Sequence, residues 1–147
     1  QPLSRATPRP SGPNADGLKR QSAALGLSQS VRFTGALPAR EALRLGRVMV
    51  VASLSESFPY VVLEAAAAGL PLVSTSVGGI PEIVAGTDTE LIPPGDADAL
   101  AAAMRAALDH PEAALARAKR LRENVSSKYT VAGMTSAVLD FYALTVG

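Results

Sequence analysis

Cysteine is absent from the 147 residues, which excludes disulfides, thiolate nucleophiles and cysteine-ligated metals. Tryptophan is absent as well, and His110 is the single histidine, so no histidine cluster can assemble around a metal ion. Charge of one sign is lacking. Fourteen Lys and Arg face thirteen Asp and Glu, for a net charge of +1, which gives no electrostatic case for nucleic acid or a strongly acidic partner. No apolar run approaches the ~20 residues that cross a bilayer, because Glu64 interrupts the longest candidate. Gln1–Pro13 has no apolar centre of the kind a signal peptide carries. The sequence opens on glutamine rather than methionine, as a fragment or a processed product would. What remains is one domain's worth of chain, long enough to bury a core.

Residues 1–14 hold four prolines (Pro2, Pro8, Pro10, Pro13) and read as an irregular segment. The rest, 15–147, alternates strand and helix signals. Asp16–Leu27 reads as a helix with Gly26 near its end, Val31–Thr34 as a short strand and Pro38–Leu45 as a short helix. Val48–Ser53 is a continuous, β-branched apolar run, the pattern of a strand buried on both faces of a parallel sheet. A helix from Pro59 or Tyr60 to Gly69 follows, then strand Leu70–Ser74, a turn of helix at Pro81–Val84 and strand Glu90–Ile92. The last third is helical. Asp96 is the expected N-cap of one helix, and Pro111 opens a second with a stripe of Leu115, Ala118, Leu121 and Val125. Thr130 is the expected cap of a third, along Val131, Met134, Val138, Phe141 and Tyr142. The class is α/β: a Rossmann-like parallel sheet flanked by helices, with a helical C-terminal end.

The chemistry concentrates in Ser55-Glu56-Ser57-Phe58-Pro59-Tyr60-Val61-Val62-Leu63-Glu64. Proline is tolerated at a helix start and resisted inside one, so Glu56 falls on the loop ahead of the helix and Glu64 just over one turn inside it. Between them lies a helix N-terminus with free N–H groups, a ready anion site. Carboxylates accept hydrogen bonds from hydroxyls. A ligand with phosphate in the middle and a polyol at each end, a sugar nucleotide, matches that order.

This stretch resembles the Glu-x7-Glu motif of group 1 retaining glycosyltransferases of the GT-B fold. The resemblance extends, in order, to Val31-Arg32-Phe33-Thr34-Gly35, Gly69-Leu70-Pro71-Leu72-Val73-Ser74-Thr75, Gly78-Gly79-Ile80-Pro81-Glu82-Ile83-Val84 and Leu91-Ile92-Pro93-Pro94-Gly95-Asp96, and covers about Gly12 to Tyr142. It implies the C-terminal, donor-binding half of a two-domain enzyme. Glu56 is then the catalytic-site carboxylate that holds the donor sugar, with Ser57, Phe58, Tyr60 and Val61 around the donor and Glu64 on the ribose diol. Gly35, Ala36 and Leu37 line the base, and Gly78 and Gly79 either approach the ligand or form a plain turn. Tyr60 is as well suited to a rim or core place as to stacking. The implied substrate is a nucleoside-diphosphate sugar such as a UDP- or GDP-hexose, with no cofactor and no metal, and the implied acceptor is a saccharide or a lipid-linked molecule.

The family's Arg-x4-Lys-Gly element, which neutralises the leaving diphosphate, does not occur. By the resemblance, the first strand and helix of the donor domain and the whole N-terminal partner domain are missing. The family implies bacterial cell-envelope polysaccharide synthesis in the cytoplasm or at the inner membrane face. Arg117, Lys119, Arg120, Arg122 and Lys128 form a basic helix face that either meets anionic lipid or is a solvated face balanced by Glu112 and Glu123. Two other functional classes fit the same residues: a catalytically silent sugar-nucleotide-binding remnant, and a non-enzymatic α/β interaction domain. Epimerisation of a sugar nucleotide is a minor alternative.

Overall fold

A computed structural model describes residues 14–130, 132, 133 and 135. The chain divides into a first unit, 1–47, and a second, 48–147. Within the first unit, α1 (Ala15–Ala24) ends at Gly26, whose φ of +69° suits a glycine past a helix end. A short α2 (Ala39–Ala42) runs into a 3-10 turn at Leu43–Leu45. The strand expected over Val31–Thr34 is absent. Val31 makes an isolated bridge, and its N–H, like that of Ser30, turns back to the Leu27 carbonyl. That turn spends on local closure a donor that a ladder would need.

The second unit is built on three parallel strands in the order β1 (Met49–Val51), β2 (Leu72–Thr75), β3 (Leu91–Ile92). Met49 pairs with Leu72, Val50 with Val73 and Val51 with Ser74; Thr75 pairs with Ile92. Between β1 and β2 lies α3 (Tyr60–Ala67), and between β2 and β3 lies α4 (Ile80–Val84). The strands are two to four residues long, shorter than the apolar runs that foretold them.

Alternation along the strands divides the core. Met49, Val51 and Leu72 face a cluster of Val62, Ala66, Ile80, Ile83, Val84, Leu121 and Val125. Val48, Val50 and Val73 face a second cluster with Leu100, Met104, Ala107 and Ala114. A parallel strand covered on both faces in this way needs an unbroken apolar sequence, which explains why β1 reads as it does.

Helices α5 (Ala97–Asp109) and α6 (Pro111–Lys128) complete the unit. Asp96 caps α5 by accepting the Ala99 N–H at 2.9 Å, and exposed His110 joins the two helices ahead of Pro111. The inward stripe of α6 is Ala114, Ala118, Leu121 and Val125, not one that includes Leu115, which is 55% exposed. The spacing of four, three and four keeps that stripe on one face, and Ala114 is small enough to sit in the same cluster as Ala107 of α5.

The basic face of α6 is partly engaged. Arg120 donates two hydrogen bonds to Asp88, the Nε–Oδ1 contact being 2.9 Å, and Lys128 donates to the Ala85 carbonyl at 3.1 Å. These contacts add to the charge balance of that face, in which Glu123 also acts on Arg120. Thr130 accepts the Gly133 N–H at 3.0 Å, the bond of an N-cap. The expected stripe of Val131, Met134, Val138, Phe141 and Tyr142 lies outside the described residues.

Candidate functional site

Parallel α/β sheets place ligands beyond the carboxyl ends of their strands. Two segments meet there: residues 52–59 after β1 and residues 76–79 after β2. Glu56, Ser57 and Phe58 belong to the first, Gly78 and Gly79 to the second. The Gly79 N–H donates to the Ser57 carbonyl at 2.9 Å. Gly78 has φ +52°, and a Cβ there would overlap the Glu56 carbonyl oxygen. A Cβ at Gly79 would fall 2.7 Å from Phe58 Cδ2 and 3.2 Å from the Ser57 carbonyl oxygen. Both glycines are therefore required by close approach of two backbone segments. The glycine pair seats the Glu56 loop and at the same time forms the turn that opens α4, the Ile80 N–H bonding to the Val77 carbonyl.

Helix α3 begins at Tyr60, with Pro59 at the N-cap and no side chain capping it. The Val62 N–H bonds to the Pro59 carbonyl, whereas the N–H groups of Tyr60 and Val61, in the first turn, have no intrahelical acceptor. Val61 is half-buried against the core, so its backbone rather than its side chain is what it can offer. Tyr60 is 74% exposed, a rim position, and its ring meets that of Phe58 edge-on at 5.9 Å. Phe58 in turn packs on the core and lies 6.1 Å from the ring of Tyr129. Burial, and then the nearby charge of Glu82, pushes the Tyr129 phenol above its ordinary value. Phe58 thus anchors the loop against the core while remaining half-buried.

Glu64 lies further along α3 with an exposed side chain. Glu56 is half-buried and accepts a hydrogen bond from the Ser53 hydroxyl at 2.8 Å. Sequence reasoning passed over Ser53, and also Thr75, whose hydroxyl donates to the Ser53 carbonyl at 2.6 Å. The one signal available was a hydroxyl residue at the end of β2 and another two residues past β1. Gly35, Ala36 and Leu37 belong to the first unit, Gly35 at φ +68°, Ala36 exposed and Leu37 half-buried. Among the described residues no group of three His, Cys, Asp or Glu is placed to hold a metal ion, and no helix is long and apolar enough to cross a membrane.

The parallel sheet, with helices on both faces, presents a glycine-seated loop and an uncapped helix start at its strand ends. A family model described as "Glycosyl transferases group 1" matches residues 10–110. The chain belongs to the group 1 glycosyl transferase family. It is 39% identical over 134 residues to a glycogen synthase of Mycobacterium tuberculosis, a match covering 86% of this chain and 32% of that protein. Its fold is similar to sucrose-phosphate synthase from Thermosynechococcus elongatus (TM-score 0.80, 27% identity, 97% of this chain and 38% of that one). It is also similar to Anabaena HepE, solved in complex with UDP (TM-score 0.86, 22% identity, 97% of this chain and 42% of that one). The chain spans about a third of the length of the curated relatives it matches.

Proposed function

We propose that this chain is the donor-binding part of a glycosyltransferase that uses a nucleoside-diphosphate hexose, with UDP and GDP the leading nucleotides. One observation carries the reading. In a chain of this family, Glu56 and Glu64 flank an uncapped helix start at the carboxyl ends of parallel strands. The backbone N–H groups of Tyr60 and Val61 meet the diphosphate, Glu64 accepts from the ribose diol, and Glu56 accepts from hydroxyls of the hexose. The anomeric carbon–oxygen bond to the diphosphate breaks, and a bond to an acceptor hydroxyl forms on the same face of the sugar. The acceptor's proton passes to the departing phosphate. The acceptor is a saccharide or a lipid-linked molecule, and reaction at the inner membrane face agrees with the exposed basic residues of α6. A similar fold solved with UDP bound supports the nucleotide part of this reading.

Calorimetric titration of the chain with UDP, GDP, ADP and their hexose conjugates tests it, with Glu64→Ala as control. The expected result is saturable binding of one nucleotide series, weakened about tenfold or more in the variant, as loss of a charged acceptor to two hydroxyls requires. A folded chain that binds none of them overturns the assignment of this chain as a donor site.

A further inference from the structure

Thr75 closes β2 and is 3% exposed. A buried hydroxyl is costly unless bonded, and valine would fill the same space without that cost. Its bond does not go to its own strand. Thr75 Oγ1 donates to the Ser53 carbonyl at 2.6 Å, with the Val51 carbonyl a more distant 3.4 Å away. The β1–β2 ladder ends at Val51 and Ser74, so the Ser53 carbonyl lies past it. The threonine side chain continues the pairing where the backbone no longer can. Ser53, held at its carbonyl, then donates its own hydroxyl to Glu56 Oε1 at 2.8 Å. On the other side of Glu56, the Gly79 N–H holds the Ser57 carbonyl at 2.9 Å. The end of β2 and the segment that follows it therefore hold the exit loop of β1 on both sides of a single carboxylate.

We propose that Thr75 and Ser53 are positioning residues for Glu56. Thr75 fixes the Ser53 backbone, and the Ser53 hydroxyl occupies Oε1, so that Oε2, without a partner among the described residues, is presented to the sugar in one orientation. This inference rests on the proposed role of Glu56 at the donor hexose. A carboxylate free to rotate would have to be ordered on binding, at a cost in affinity, and catalytic geometry tolerates little looseness in such supporting contacts. Neither residue touches the nucleotide in this arrangement. Their influence must pass through Glu56 and be confined to the sugar end of the ligand.

The test compares affinity for the free nucleoside diphosphate with affinity for its hexose conjugate in the same chain. Ser53→Ala should weaken the conjugate about tenfold, the loss of one hydrogen bond to a charged group, and leave the free diphosphate within about twofold. Ser53→Thr, which keeps the hydroxyl, should restore the difference. Thr75→Val, nearly isosteric, should act in the same direction, and melting curves show that each variant is folded. In a Glu56→Ala background, which removes the acceptor, Ser53→Ala should cost nothing more, since residues acting through one group are not additive. The proposal is overturned if Ser53→Ala leaves the conjugate unaffected, weakens both ligands equally, or adds in full to Glu56→Ala. If wild-type chain binds neither ligand, the donor-site reading itself fails and takes this inference with it. Binding that ignores Ser53 defeats the inference alone.

Discussion

The two units of the chain make unequal use of their apolar residues. Every buried hydrophobic among the described residues lies in the second unit, in two clusters on the two faces of the sheet. Among its described residues the first unit buries only Ser22, while Leu18, Leu25, Leu27 and Leu45 remain exposed. Polar groups follow the same division. Buried Ser74 and Thr75 are hydrogen-bonded, whereas the hydroxyls of Ser22 and Thr34 have no partner among the described residues. The contrast shows that local propensity suffices to make α1, but only long-range packing makes a region stable. A segment with few buried apolar contacts opens at low free-energy cost.

The sharpest way to break this comparison is one truncation in each unit. Ile83→Ala, at a fully buried position, should lower unfolding free energy by about 2–5 kcal/mol. Leu25→Ala, at 64% exposure, should stay within about 0.5 kcal/mol. Denaturant melts of the two variants decide it, and equal losses would mean that the first unit has a core of its own.

Glycines give a second contrast. Gly78→Ala combines a left-handed backbone with overlap against the Glu56 carbonyl oxygen and should cost about 3 kcal/mol, near the upper end for local backbone strain. It should also abolish nucleotide-sugar binding. Gly35→Ala has a similar φ of +68° but open space around it, and should cost only about 1–2 kcal/mol.

Helix starts come next. Asp96→Ala removes a cap bond that is present and should cost about 1 kcal/mol. Asn14→Ala removes none, because Asn14 makes no side-chain cap bond to α1, so its effect on the melting midpoint should be much smaller.

The smallest effect belongs to the exposed Asp88–Arg120 pair. The Arg120 hydrogen bond holds the Asp88 carboxyl below its ordinary value. Its folded pKa is therefore depressed, so the pair's contribution is present above the unfolded carboxylate's pKa and fades as pH falls through the folded one. Asp88→Asn should be slightly less stable than wild type at pH 7, and the two should converge below about pH 4. A gap that widens in acid would reverse the sign and show that the pair does not act this way.

Much of the fold was legible because its signals are local. The unbroken Val48–Ser53 run contains β1. Pro59 marks the start of α3 and Gly69, at φ +70°, its end. Asp96 caps α5 as its position before an alanine-rich helix suggests. Where the reading went wrong, packing at a distance decided. Val31–Thr34 has the composition of a strand and lacks a ladder. Leu115 has the hydrophobicity of a core residue, yet the helix turns Ala114 inward to α5 and leaves Leu115 in solvent.

The candidate site divides along the same line. Its glutamates and its helix start could be named from spacing alone, because proline and glycine punctuate helices through their own backbone preferences. The support beneath it could not. Thr75 meets Ser53 across 22 residues of sequence, and Gly78 and Gly79 are glycines because the Glu56–Phe58 backbone lies against them. By itself the sequence determined where α3 begins and ends and where α5 is capped, since those choices depend on neighbouring residues. Only the tertiary structure decided which way the Glu56 carboxylate is held, because the Ser53 hydroxyl that holds it is itself fixed through its backbone by Thr75 of another strand.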